Sequence, residues 1–381
     1  MKFGMFYLLQ ASEPRTPQNE YQRFWEAVEE VTYAEEMGFE YAWFAEHHFV
    51  PDWSFSSTPE ITLTALSQRT STMRLGFAVA LLPIHHPLRL AAQVATMDIL
   101  SNGRVDFGVG RSKNLWQLAP FGVGLEEGRG RMVESLSIIP KMWTEEVFSH
   151  EGHYYQIPPR EIVPKPIQQP HPPIWAACTQ EETQEIAGAM GIGCLLNAQG
   201  GIEKTTRSIA VYREAIKDAN PVGKFINNQV MLSIMAHCDE NHQRALDRGS
   251  EIGAWARNTS RARMAREWEG VDINSVPDDY RTYALGGNWV QSRGGYIPVG
   301  QEDAINPEEF LKTHRGFLIG DPDTCIETLE QYEKLGVDGV MCSLQQGPTT
   351  HEEAINTIRL FGKYVIPHFK RKEQKSVAAQ N

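Results

Sequence analysis

The sequence has no surplus of basic residues. Its 36 Lys and Arg face 48 Asp and Glu, for a net charge of −12. That argues against nucleic acid and anionic membrane as partners, since both select basic faces. No apolar run reaches membrane-spanning length. The start, MKFGMFYLLQASEP, carries one Lys and too short an apolar stretch for a secretory signal. Cysteine is sparse: Cys178, Cys194, Cys238, Cys325 and Cys342 lie far apart, with no CxxC and no Cys/His cluster. They read as reduced thiols of a cytoplasmic protein, not as a disulfide framework. Low-complexity tracts, long linkers and close repeats are also absent. With 41% hydrophobic residues, residues 1–381 read as one large globular domain.

What is present is a repeated pattern. Eight apolar strands are expected in KFGMFYLL, YAWFAE, RLGFAVALL, RVDFGVGR, IWAAC, GCLLNA, NQVMLSIMAH and GVMCSLQ. Helical patterns alternate with them. One, EYQRFWEAVEEVTYAEEMGF, sets Phe24, Val28, Val31 and Ala34 at helical spacing before Gly38. Strands that are apolar throughout belong in a sheet covered on both faces. Eight right-handed βα units predict a TIM (β/α)8 barrel. A doubly wound open sheet is the alternative, but its glycine-rich fingerprint is missing from FYLLQASEP. Two stretches exceed a minimal barrel: the Pro-rich connection of about 150–173, and residues 270–304. The second reads as a lid insertion at the C-terminal face. Residues 371–381 read as a flexible tail.

Barrel chemistry sits at the C-terminal strand ends, and distinctive residues gather there. Glu46, His47 and His48 follow the second strand, and His85 and His86 the third. Arg111, Ser112, Lys113 and Asn114 follow the fourth. Thr179 and Gln180 follow the fifth, and Asn197 and Gln199 the sixth. The two His pairs admit three readings: a metal site, a proton-handling pocket, or satisfied loop histidines. Metal is disfavoured, because adjacent residues of an extended chain point in opposite directions. No HExxH occurs, and of the carboxylates expected after the last two strands only those of HCDE are present, since SLQQG has none. A second pattern suits a phosphate. Arg111, Arg129 and Arg131, with Thr179, Gln180 and Thr183 around a helix start, supply cations, hydroxyls and free N–H groups.

The segments MKFGMFYLL, EHHF, RLGFAVALLPIHHPLRLAAQVATMDILSNGRVDFGVGR and IGDPDTCIETLEQYEKLGVDGVMC together resemble bacterial luciferase and the luciferase-like flavin monooxygenases, over nearly the whole chain. The resemblance implies a TIM barrel that takes reduced FMN from a separate flavin reductase. Oxygen then adds to the flavin, and the resulting peroxyflavin oxygenates a small organic substrate. It implies that His47 is the catalytic histidine and that Ala78 and Val79 form a cis peptide under the flavin ring. It places Arg111, Arg129, Thr179, Gln180 and Thr183 around the flavin phosphate, with Thr179 and Gln180 standing where luciferase has a Glu-Ser pair. It also implies a homodimer paired through helices near the second and third strands. Gly110 replaces luciferase's reactive cysteine and Ala198 a tryptophan, and both changes reshape the pocket that serves light emission and a long-chain aldehyde. Two competing functions remain: hydride transfer with a deazaflavin on the same fold, and a noncatalytic flavin-binding subunit.

Overall fold

A computed structural model describes residues 1–10, 15–112, 114–267, 289–292, 295–298 and 316–380. Eight parallel strands close into a barrel: β1 (Lys2–Tyr7), β2 (Tyr41–Phe44), β3 (Arg74–Phe77), β4 (Val105–Gly110), β5 (Ile174–Ala177), β6 (Gly193–Asn197), β7 (Val230–Cys238) and β8 (Gly339–Ser343). Each pairs with its successor, and β8 pairs with β1, with Lys2 opposite Gly339 and Gly4 opposite Tyr41. The TIM barrel expected from the strand pattern is the fold.

The pleat sorts side chains into two layers. Tyr41, Trp43, Trp175, Leu195, Met231 and Met341 fill the barrel interior. Phe3, Met5, Ala42, Phe44, Leu75, Phe107 and other alternate residues join the packing between barrel and helices. Two indoles inside one barrel need space. Trp43 and Trp175 meet edge to face at 5.6 Å, and glycines make room for them. A Cβ at Gly76 would lie 2.1 Å from the Trp43 ring, and one at Gly193 would lie 2.3 Å from Trp175.

The outer helices start where the sequence supplies caps. Thr16 accepts from the Asn19 N–H at 3.2 Å ahead of the helix Pro17–Glu36. Thr350 and Glu353 form a capping box at the helix His351–Leu360. The Pro-rich connection holds an antiparallel ribbon, Phe148–Glu151 with Gln156–Arg160. A helix His242–Glu267 follows β7, and a short strand Leu318–Gly320 pairs with the end of β7. The sequence pattern did not anticipate these two elements. Of the expected lid, 270–304, only a two-stranded ribbon, Trp289–Ser292 with Gly295–Pro298, is among the described residues. Lys113 also lies outside them. The last helix, Ile366–Gln380, runs through most of the expected tail. Among the described residues no helix is long and apolar enough to cross a membrane. All five cysteines are buried and unpaired by disulfides.

Candidate active site

A cavity of about 1030 Å³ opens at the C-terminal ends of the strands. Phe6 and Leu8 from β1 and its end, Val79 after β3, Val109 of β4 and Leu196 of β6 give it an apolar floor. Polar groups come from the turns that follow: His47, Arg111, Thr179 and Thr183 all line it, as do Ala78, Asn197 and Gln199.

In the turn after β2, His48 folds onto Glu46, and His47 is the histidine that lines the cavity. Glu46 is buried and accepts the Leu81 N–H at 2.8 Å. His48 Nε2 lies 2.8 Å from one of its oxygens and His85 Nε2 2.9 Å from the same oxygen. Burial alone would raise the Glu46 carboxyl, but these hydrogen bonds outweigh it and bring the pKa down to about 2. His85 moves the other way. Burial opposes its charge, yet Glu46 raises its pKa above the ordinary value. His86 caps the helix Pro87–Leu100 through Nδ1, which accepts the Leu88 N–H. The two His pairs therefore meet at Glu46 through one member each, and His47 alone is turned to the cavity. Its backbone is pinned by an N–H bond of 2.8 Å to the Ser56 carbonyl. Burial, reinforced by the charge of Arg263, lowers its pKa to about 4. Its Nδ1 is buried without a hydrogen-bond partner. Among the described residues, no group of three His, Cys, Asp or Glu is arranged to hold a metal.

The Ala78–Val79 peptide is cis. Gly110 faces it across the β3–β4 gap, and a Cβ there would lie 2.5 Å from Val79 Cγ2. Arg111 is buried at the end of β4. Thr183 shares a capping box with Gln180 at the helix Glu181–Ala189: its hydroxyl accepts the Gln180 N–H at 3.2 Å. Arg129 and Gln180 are not on the cavity wall. Arg129 instead forks onto Glu182 in the first turn of that helix, with Nη2 2.6 Å from Oε2. Arg131 pairs with Glu127 and covers the Tyr154 ring.

Sequence reading missed part of the wall. Gly253, Ala256, Arg257, Ser260 and Arg263 line the cavity from the helix His242–Glu267, and Lys204 and Ser208 from the helix Gly201–Ala215. Their spacing of three and four residues was the available signal. It marks a polar face, whereas helix searches look for an apolar one.

The family model for luciferase-like monooxygenases matches residues 1–339. The oxygenase component of the flavin-dependent trigonelline monooxygenase of Acinetobacter baylyi is 24% identical, over 97% of this chain and 96% of that protein. Two solved structures share the fold. The oxygenating constituent of 3,6-diketocamphane monooxygenase of Pseudomonas putida, in complex with FMN, has a TM-score of 0.75 and 20% identity over 96% of this chain and 98% of that one. The coenzyme F420-dependent tetrahydromethanopterin reductase of Methanopyrus kandleri has a TM-score of 0.66 and 21% identity over 97% and 99%. With the barrel and its mouth so arranged and the family model spanning most of its length, this chain belongs to the luciferase-like monooxygenase family.

Proposed function

We propose that the protein is the oxygenase of a two-component system, taking reduced FMN from a separate reductase and using O2 to oxygenate a small organic substrate. The charge arrangement of the cavity carries this reading. In a chain of net charge −12, the cavity wall bears Arg111, Lys204, Arg257 and Arg263. Among the described lining residues Glu46 is the only carboxylate, and His48 and His85 already face it. Cations above an apolar floor fit a flat apolar ring that carries a phosphate. The trigonelline monooxygenase component and the FMN complex among the relatives support the same choice.

Arg111, Thr179 and Thr183 would hold the phosphate, at the ends of β4 and β5. Arg129 and Gln180 fix the start of the helix that carries Thr183, one through Glu182 and the other through the capping box. Ala78 and Val79, with the apolar floor, would carry the ring. Reduced flavin, when bound, supplies the two electrons with which O2 gives one oxygen atom to the substrate and the other to water. This chain supplies the setting. Phe6, Leu8, Val79 and Leu196 keep water from the reacting face. His47, neutral above about pH 5, accepts a hydrogen bond or a proton at a ring nitrogen.

Anaerobic titration tests the reading. Arg111→Ala is expected to weaken reduced FMN by about 1.5–3 kcal/mol, the range for a hydrogen bond to a charged group, and to leave riboflavin nearly unchanged. Equal weakening of both would place Arg111 away from the phosphate. Turnover with a generic flavin reductase, and no rapid NADH oxidation without one, is the accompanying expectation. The likeness to an F420-dependent reductase gives the alternative outcome: preferential retention of a deazaflavin, visible in the absorbance spectrum, would replace FMN.

A further inference from the structure

The barrel interior changes character where it meets the cavity. Leu195, Met231 and Met341 point inward from β6, β7 and β8, and the pleat repeats that orientation two residues on. Those positions hold Asn197, Ser233 and Ser343, and all three line the cavity. Phe6, Ala78 and Val79 pack on the same interior from the ends of β1 and β3. The inward positions are therefore apolar on one side and polar without charge on the other. The flavin reading uses the apolar side and the phosphate site after β4 and β5. β8 stands four strands from β4 in either direction around the barrel. Gln346, in the turn after β8, completes the polar side. Its side-chain amide donates to the Ser343 hydroxyl oxygen, and the two residues are only 6% and 5% exposed on the cavity wall. Among the described residues, the Gln346 side-chain oxygen and the Ser343 hydroxyl proton have no further partner. The turn itself is fixed from outside. Arg23 Nη2 donates to the Gly347 and Thr349 carbonyls at 2.7 Å each. Thr349 donates through its N–H and its hydroxyl to the Gln346 backbone carbonyl, both at 2.8 Å.

We propose that Ser343 and Gln346 form a substrate subsite that holds the amide edge, a C=O beside an N–H, of a neutral carboxamide or lactam. This rests on the FMN reading and names the substrate class for the same cavity. The pair presents one donor and one acceptor side by side, and an amide edge satisfies both at once. A carboxylate would set a second acceptor against the Gln346 oxygen. A ketone or ester would take the Ser343 proton and leave the buried Gln346 oxygen unpaired, which costs more than a missing contact at the surface. The turn needs no rearrangement to receive the ligand, because Arg23 and Thr349 already hold it, so little binding energy is lost in ordering it. A substrate gripped at this edge directs its remaining, apolar part to the opposite side of the cavity, where the flavin ring would lie.

Benzamide and acetophenone share a shape and differ by an amide nitrogen in place of a methyl group. They probe the pair on the full chain, by calorimetry, with and without saturating FMN. Benzamide is expected to bind about 5- to 100-fold more tightly, the range for a buried acceptor that acetophenone leaves unpaired. Gln346→Leu removes the acceptor, so benzamide should fall to the affinity of acetophenone while acetophenone holds its own. Ser343→Ala removes the donor and should weaken both ligands. A turn that Gln346 and Ser343 merely brace would lower the thermal midpoint in these variants without this split between the two ligands. FMN affinity should stay unchanged in both. Equal binding of benzamide and acetophenone to the wild-type chain, or binding of neither, overturns the subsite without any variant. So does a Gln346→Leu chain that keeps the preference, or one that loses FMN affinity instead, which would assign the pair to an edge of the flavin. A chain that prefers benzamide but does not bind FMN would remove the cofactor reading and leave the subsite standing.

Discussion

A histidine in water is half charged near its ordinary value of 6.5; His47 is neutral there, because burial and Arg263 hold its pKa near 4. The sign follows directly. Between pH 6.5 and 4 the unfolded chain takes up a proton that the folded chain does not, so this residue lowers folding stability as pH falls and is silent above 6.5. His47→Ala is expected to flatten that slope in thermal melts from pH 4 to 7. In turnover with a reductase it should lower product formed per flavin oxidised by about 10²–10⁴-fold, with peroxide rising to match and FMN affinity kept. Normal product yield would make the histidine structural. Glu46 behaves oppositely. Its depressed pKa stabilises the fold above the ordinary 4.5 and loses that contribution as pH falls to about 2. His85, raised by Glu46, stabilises below 6.5 and loses its contribution as pH rises through its folded value. Glu46→Gln should therefore cost most between about pH 4.5 and 6.5, on the order of 1–3 kcal/mol. Melts showing the same deficit at pH 9 would detach His85 from the pair. That His47 and His48 point apart was legible from strand alternation in EHHF, whereas the choice of His47 as the one facing the site came from the resemblance. The bond between His85 and Glu46 was not legible, since it joins residues 39 apart.

The barrel strands were legible because each is an apolar run that both layers bury. The helix His242–Glu267 was not, for a physical reason. One of its faces looks into a polar cavity through Arg257, Ser260 and Arg263, so it lacks the broad apolar stripe by which helices are found. The strand Leu318–Gly320 is three residues long, too short for any period to register. Close approach between strands was also invisible in the sequence. A Cβ on Gly108 would lie 1.9 Å from the Phe77 carbonyl oxygen, a backbone atom that cannot rotate away. Gly108→Ala must push β3 and β4 apart just below Ala78 and Val79. The expected cost is about 1–3 kcal/mol, as for other overpacked sites, read as a lower urea midpoint, together with weaker flavin binding. An unchanged midpoint would show that the β3–β4 gap yields without penalty.

Across the whole molecule, the acidic surface and the cationic cavity work together. Net negative charge keeps the protein apart from other acidic polymers, while the Arg and Lys of the mouth draw small anions inward, an attraction that salt screens. The same surface carries apolar side chains that the barrel leaves uncovered. Ile61 is 65% exposed on the helix Pro59–Ser67, and Ile99 and Leu100 are 42% and 50% exposed at the end of the helix Pro87–Leu100. Those two helices follow β2 and β3 and pack against each other. We propose that this face pairs with its copy in a homodimer. An isologous contact would double each side chain's contribution, since every residue appears twice across the axis. A stable pair needs roughly 1,000 Å² or more of buried surface, with apolar residues at its centre and charge at its rim. Light scattering at micromolar concentration should give twice the chain mass. Ile61→Lys combined with Leu100→Lys places two like charges on each side of the axis and should give monomers that keep the wild-type circular dichroism. A wild-type chain that is monomeric at that concentration rejects the pairing; a double variant that remains dimeric moves the interface to another face of the barrel.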